Sequence, residues 1–107
     1  MEFSIYNRTM VALPEPVTFF WDKGNERKNL DKHGVTAQEV EEVFFDPQKK
    51  LLGGKFHSGK EDRYLLIGQT KRQRLLFVVF TIRNLQIRAI SARDLNQKER
   101  PLYEEAT

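Results

Sequence analysis

At 107 residues and 12.6 kDa the chain has the length of one domain, and 39% hydrophobic with 11% aromatic content can fill a small core. The longest apolar run, residues 75–80, is six residues against about 20 for a bilayer-spanning helix, and the lack of cysteine excludes disulfides, thiolate metal sites and a cysteine nucleophile. Formal net charge is +3, and the first ten residues carry Glu2 and no apolar segment, so they do not read as a secretory leader and a cytoplasmic location is expected.

The first 17 residues stand apart from the rest. Phe3 and Ile5 alternate with polar neighbours, as a short strand requires, and Pro14 and Pro16 stiffen the link that follows. Residues 17–21 are a second strand candidate. Asp22 is a good N-cap and Gly34 sits where a left-handed C-cap belongs, so residues 23–33 are predicted to form a polar helix. Thr36 and Glu39 make a capping box for a helix carrying Ala37, Val40, Val43 and Phe44 at helical spacing, ended by Asp46-Pro47. Strands are then expected at 49–52 (weakly), 63–68, 75–82 and 87–93. The near-continuous apolar run at 75–82 suits a central strand buried on both faces. Short turns at 69–73 and 83–85 favour an antiparallel meander. Residues 94–105 suit a short helix that Pro101 would interrupt. The fold class is α+β: two helices on one face of an antiparallel sheet of about four strands, an extra N-terminal strand and a short C-terminal helix.

Charge is polarised along the chain. Residues 1–47 hold five Lys/Arg against nine Asp/Glu, a net −4. Residues 48–93 hold eleven against two, a net +9. Residues 94–107 hold two against four, a net −2. A segment at +9 is an electrostatic footprint for a polyanion, although Lys and Arg also serve merely to solvate a sheet. Arg63, Arg74, Arg83, Arg88 and Arg93 lie in or beside apolar strand patterns, which points to a fixed cationic surface.

The two histidines, His33 and His57, are 24 residues apart, there is no His/Asp cluster at ligand spacing, and Gly53-Gly54 alone is a turn signal and no phosphate cradle. No metal and no cofactor are therefore expected. RNA carries its own nucleophile, the 2′-OH, so an enzyme acting on it needs only a base, an acid and cations for the phosphorane. Histidine and arginine suit those tasks. His57 is expected in a loop, 53–62, that leads into a strand. His33, next to the C-cap glycine, complements the helix dipole and reads as structural. Lys28 and Lys32, four apart on one helix face, read first as a solvated face. Trp21 reads first as a core anchor. Arg88 and Arg93 have opposite strand parity and face opposite sides unless a bulge or strand end intervenes.

The ordered set Phe20-Trp21-Asp22, Asn29, Lys32-His33-Gly34-Val35 and Phe45-Asp46-Pro47 resembles the opening of the BrnT toxins. The second half continues the match: His57-Ser58, Glu61-Asp62-Arg63-Tyr64, Ile67-Gly68, Arg74, Val78-Val79-Phe80-Thr81, Arg83, Ile90-Ser91-Ala92-Arg93, Glu99-Arg100 and Tyr103. The likeness spans residues 19–103. It implies a RelE-like fold in a single domain over 18–107, preceded by an extension over 1–17. It also implies a ribonuclease toxin that works without a metal, and a co-encoded antitoxin, BrnA, that binds the operator DNA of the shared operon. One departure concerns the WD motif: the family commonly has Lys three residues after its Asp, where this chain has Asn25, with Lys28 one turn later on a similar face.

The expectation is thus a cytoplasmic endoribonuclease that cleaves mRNA through 2′-OH attack. His57 is the candidate acid or base and Glu61 the alternative base. Arg63, Arg83 and Arg93 are candidates for phosphate and transition-state contacts, and Trp21, Lys28, Lys32 and Arg88 for holding RNA. An antitoxin is expected to occlude the cationic sheet; no membrane is involved. The rival reading is a non-catalytic module that binds nucleic acid or an antitoxin.

Overall fold

The computed structural model describes residues 13–58 and 61–105, residues 53–58 through their backbone. Helix α1 (Lys23–His33) begins where the sequence predicts. The Asn25 amide donates to Asp22 Oδ1 at 2.9 Å and the Asp22 amide donates to Asn25 Oδ1 at 2.8 Å, a reciprocal cap. Gly34, at φ 64°, closes it in the left-handed region. Helix α2 (Ala37–Phe44) opens on the predicted Thr36–Glu39 capping box.

The two helices dock differently. Helix α2 buries Val40, Val43 and Phe44. Helix α1 has no apolar stripe, and its buried residues are Asn25 and Asn29. These hydrogen-bond the backbone of the sheet: Asn25 Nδ2 donates to the Ala89 carbonyl at 3.2 Å, and the Ala92 amide donates to Asn29 Oδ1 at 3.0 Å. Asn29 Nδ2 donates to the Asn25 carbonyl at 3.2 Å, which locks the pair together.

Four strands follow, β1 (Lys50–Ser58), β2 (Glu61–Gln69), β3 (Leu75–Arg83) and β4 (Gln86–Asp94), each antiparallel to the next in the order β1-β2-β3-β4. The β3–β4 turn places Asn84 (φ 52°) and Leu85 (φ 63°) in the left-handed region, the geometry of a tight hairpin. Helices α1 and α2 cover one face, where Leu66, Leu76, Val78, Phe80, Ile87, Ala89 and Ala92 meet Val35, Val40, Val43 and Phe44. The approach is close at Gly68: a Cβ there would stand 2.7 Å from the Val43 carbonyl oxygen. A smaller cluster, Ile67, Leu75 and Leu95 with Leu52, Phe77 and Tyr103, fills one end of the opposite face beneath helix α3 (Arg100–Glu104). The arrangement is the α+β meander expected.

Four local expectations change. The weak strand at 49–52 continues to Ser58, because Gly53-Gly54 forms a bulge between Leu52 and Lys55 and pairing with β2 then resumes; His57 is therefore in a strand and no loop. Residues 17–21 give a single parallel bridge, Phe19 to Ile87, in place of a strand. Pro101 stands in the first turn of α3, where a missing N–H leaves no helical bond unmade, so it starts the helix without interrupting it. The partner register skips Ile90, and this bulge returns Arg88 and Arg93 to one face. Phe3 and Ile5 lie outside the described residues; Leu13 and Val17 pack against the core. Among the described residues no helix is long and apolar enough to cross a membrane.

Candidate nucleic-acid interface

The face away from α1 and α2 carries Glu61 and Arg63 from β2, Thr81 and Arg83 from β3, and Arg88 and Arg93 from β4. Alternation fixes this set: Phe80 and Ala89 point into the helical core, so Thr81 and its partner Arg88 point the other way. Tyr64 pairs with Phe80, which brings Arg63 beside Thr81. Arg63, Thr81 and Arg88 therefore form one row across three strands. Thr81 is buried as its floor, its hydroxyl donating to the Asp62 carbonyl at 2.8 Å.

Beside this row Arg83 is hydrogen-bonded and ion-paired to Glu61. Arg88 is held by Asp22 at 2.9 Å, and its guanidinium lies 5.4 Å from the centre of the Phe20 ring. The Asn25 amide and then Arg88 hold the Asp22 carboxyl below its usual range. Arg63 differs from these: its Nε is buried and has no hydrogen-bond partner among the described residues. A buried donor left unpaired is costly, about 1–3 kcal/mol, and marks a place where a ligand acceptor would fit. The backbone of His57 pairs with Asp62 in the β1–β2 hairpin, while Phe56 pairs with Arg63.

Arg93 is not part of that cluster. It pairs with Phe77, four residues along β3 from Thr81, which is about 14 Å at strand rise. Its guanidinium sits 4.4 Å from the Phe77 ring centre and meets Glu99 through two bonds of 2.8 Å. The Glu99 hydrogen bond raises the Arg93 pKa, and Arg93 in turn holds the Glu99 carboxyl below its usual range. Helix α3 is tied down nearby by Tyr103, whose hydroxyl donates to Asp46 Oδ2 at 2.6 Å, and by Lys50 Nζ, which donates to the Tyr103 and Glu105 carbonyls at 3.3 and 2.6 Å.

The remaining candidates lie around helix α1. Trp21 packs against the core and its Nε1 donates to Glu41 Oε2 at 2.8 Å. Lys28 lines a shallow groove with Asp22, Gly24, Asn25, Arg88 and Ile90, so it stands beside Arg88 as a cation one turn after Asn25. Lys32 is exposed in the last turn of α1. Asn25 itself has a structural place, closing the cap of α1 and binding β4. Phe20, Asp22 and Glu99, which the sequence presents only as cap or motif residues, join the site through the fold. The buried-exposed alternation of Phe19 and Phe20 against Ile87 and Arg88 is the signal that reveals Phe20. Among the described residues no group of three or more His, Asp or Glu could hold a metal ion.

A family model described as "Ribonuclease toxin, BrnT, of type II toxin-antitoxin system" matches residues 21–99. Among solved structures, the 1.1 Å crystal structure of the Brucella abortus ribonuclease toxin BrnT is similar, with a TM-score of 0.56 at 23% identity over 76% of this chain and 99% of that one. At that identity the likeness concerns the fold. Among curated proteins nothing matches. The arginine-bearing open face, the α+β meander and the match across most of the domain converge on one assignment: the chain belongs to the BrnT family of ribonuclease toxins of type II toxin–antitoxin systems.

Proposed function

We propose that the chain is an endoribonuclease toxin that cleaves mRNA at the Arg63 end of the open sheet face. The observation that carries this is the buried Nε of Arg63, without a hydrogen-bond partner among the described residues, in a row with Thr81 and Arg88. A phosphate oxygen would satisfy that donor, and the planar guanidinium matches the equatorial oxygens of a phosphorane. The attacking group is the 2′-OH of the substrate. A base removes its proton as the oxygen bonds to phosphorus, and an acid protonates the departing 5′-oxygen. His57 supplies one of these roles from the adjacent hairpin. Glu61, oriented by Arg83, is the alternative base. Since the nucleophile belongs to the RNA, the reaction asks for no metal. Arg83 and Arg88 bind flanking phosphates, Arg93 extends the track along β4, and Lys28 and Lys32 add charge on α1. Trp21 holds the segment that carries Phe20.

The partner is an antitoxin that covers this face and thereby blocks RNA, with operator DNA reached only through the antitoxin. Carboxylates suit such a cover, because Glu61, Asp22 and Glu99 already occupy Arg83, Arg88 and Arg93 in the same way. Those three pairings also support a second reading, a module that binds an acidic partner without catalysis.

The deciding experiment is cleavage of generic single-stranded RNA by the purified chain, with end-group analysis. Products bearing a 2′,3′-cyclic phosphate (or its 3′-phosphate hydrolysis product) and a 5′-hydroxyl, formed equally in chelator, are expected. A 5′-phosphate product, or loss of activity in chelator, removes the mechanism. Retention of RNA without turnover selects the second reading.

A further inference from the structure

The open face ends in an aromatic ring at the edge of β4. The Phe20 amide donates to the Ile87 carbonyl at 2.9 Å and the Ile87 amide donates to the Thr18 carbonyl at 2.8 Å, so residues 18–20 run along β4. Phe19 pairs with Ile87 and turns inward, edge-on to Phe44 at 5.3 Å. Phe20 must then turn to the opposite side, where it extends the row Arg63, Thr81, Arg88 by one more member. Phe20 is 46% exposed, a large apolar residue left in water next to a cation.

We propose that Phe20 is a stacking platform for an unpaired base of the RNA. This rests on the ribonuclease reading and adds a base-binding subsite to it. An aromatic ring flanked by a guanidinium offers a base a π face and a cationic edge, the combination by which proteins hold single-stranded nucleic acid without reading its sequence. Arg88 is pre-positioned for it. Asp22 fixes the guanidinium at 2.9 Å, and Asp22 is itself fixed as the cap of α1. On the far side of Arg88 the groove against α1 is lined by Lys28, a cation for a neighbouring phosphate. The neighbouring Trp21, the larger aromatic, is committed to Glu41 and the core and cannot serve. A base on Phe20 would stand about 14 Å across the strands from Arg63, so the subsite grips RNA some nucleotides away from the reacting phosphate. Its contribution belongs to binding and not to the chemical step.

The test uses the full chain with two probes: a single-stranded RNA substrate, and a 2′-O-methylated oligonucleotide of the same sequence, which lacks the nucleophile. Phe20→Ala should weaken binding of the methylated probe about 5- to 150-fold, the range for loss of one base stack. It should raise KM for the RNA while leaving kcat at saturation unchanged. Phe20→Trp should restore binding. Phe20→Leu, which keeps an apolar side chain without a π face, should not. Circular dichroism of each variant confirms the fold. Wild-type-like binding by Phe20→Ala or Phe20→Leu, with wild-type protein cleaving RNA, overturns the subsite and leaves the ribonuclease reading intact. The same holds if Phe20→Ala keeps RNA but loses the antitoxin, which would make the ring a protein anchor. A wild-type chain that neither binds nor cleaves RNA overturns both.

Discussion

Arg93 on β4 and Glu99 at the N-cap of α3 face each other fork to fork, with two N–H···O bonds of 2.8 Å, and only six positions separate them. The pair closes the loop between β4 and α3 and neutralises a cation at one end of the open face. The Asn96 amide also donates to Glu99 Oε1 at 3.0 Å, and the Asn96 side chain accepts from the Glu99 amide at 2.9 Å, so the carboxylate is held by Arg93 and by the Asn96 backbone together.

Removing that carboxylate should free the arginine. In Glu99→Gln, RNA binding should strengthen, and the plot of log K against log salt should steepen by about 0.7, one added phosphate contact on a single strand. Stability should fall by about 0.5–1 kcal/mol, a small amount because the Arg93 side chain is 35% exposed. Because the Glu99 pKa is depressed in the fold, the contribution is complete above the carboxylate's ordinary 4.5 and is lost as pH falls below it. Salt-dependent retention on immobilised RNA and urea unfolding measure the two effects.

Arg63 should behave in the reverse manner. Its Nε has no partner to lose among the described residues, so Arg63→Ala should leave the melting temperature nearly unchanged while cleavage slows about 10²–10³-fold, the cost of one missing transition-state donor. Arg63→Lys should not restore the rate, since a point charge cannot match two phosphate oxygens. His57→Ala should slow single-turnover cleavage about 10²–10⁴-fold, as for any positioned proton-transfer group. If His57→Ala cleaves normally and Glu61→Gln does not, the base is Glu61.

Asn29 tests the polar docking of α1. Asn29→Leu keeps the volume but leaves the Ala92 amide buried without an acceptor, and should cost about 1–3 kcal/mol in chemical unfolding. An unchanged midpoint would mean that α1 is held by something other than its asparagines.

Gly68 is a packing constraint that no side-chain trimming can relieve. Gly68→Ala drives a methyl to 2.7 Å from the Val43 carbonyl oxygen and should cost about 1–3 kcal/mol. Adding Val43→Ala should fail to rescue it, because the clash is with backbone.

Tyr103 offers a spectroscopic check on α3. Burial, reinforced by the hydrogen bond to Asp46, pushes its phenol from 10.0 up to about 12. The raised value means the neutral form stabilises the fold: its contribution is full below pH 10 and is lost as pH rises through about 12. Absorbance titration at alkaline pH should show this late step, and Tyr103→Phe should abolish it.

Much of the fold is legible from short-range chemistry. Asp22, Gly34, Thr36 and Glu39 mark the helix ends because caps are made by residues within four positions of each other. The turns before β3 and β4 are legible for the same reason. The second half of β1 is hidden because Gly53-Gly54 has the same local preference in a turn and in a bulge, and only pairing with β2 distinguishes them. The facing of Arg88 and Arg93 is hidden likewise, since the extra residue at Ile90 is defined by the partner strand. At the candidate site the residue types were legible, arginine above all, but their company was not. Glu61 for Arg83, Asp22 for Arg88 and Glu99 for Arg93 are partners chosen by folding, and the identity of the exposed aromatic, Phe20 in place of Trp21, depends on how residues 18–20 lie against β4.

That strip along β4 has a consequence for self-association. Residues 18–20 and the two asparagines of α1 consume hydrogen-bonding groups on the outer side of β4, whereas among the described residues no strand lies beyond β1. A sheet with one sealed margin and one open margin can be joined once, margin to margin, by a second copy, and the joint product presents only sealed ends. Among the described residues the β1 margin is the one left for strand addition, and growth through it, the route to fibres, would stop at the dimer.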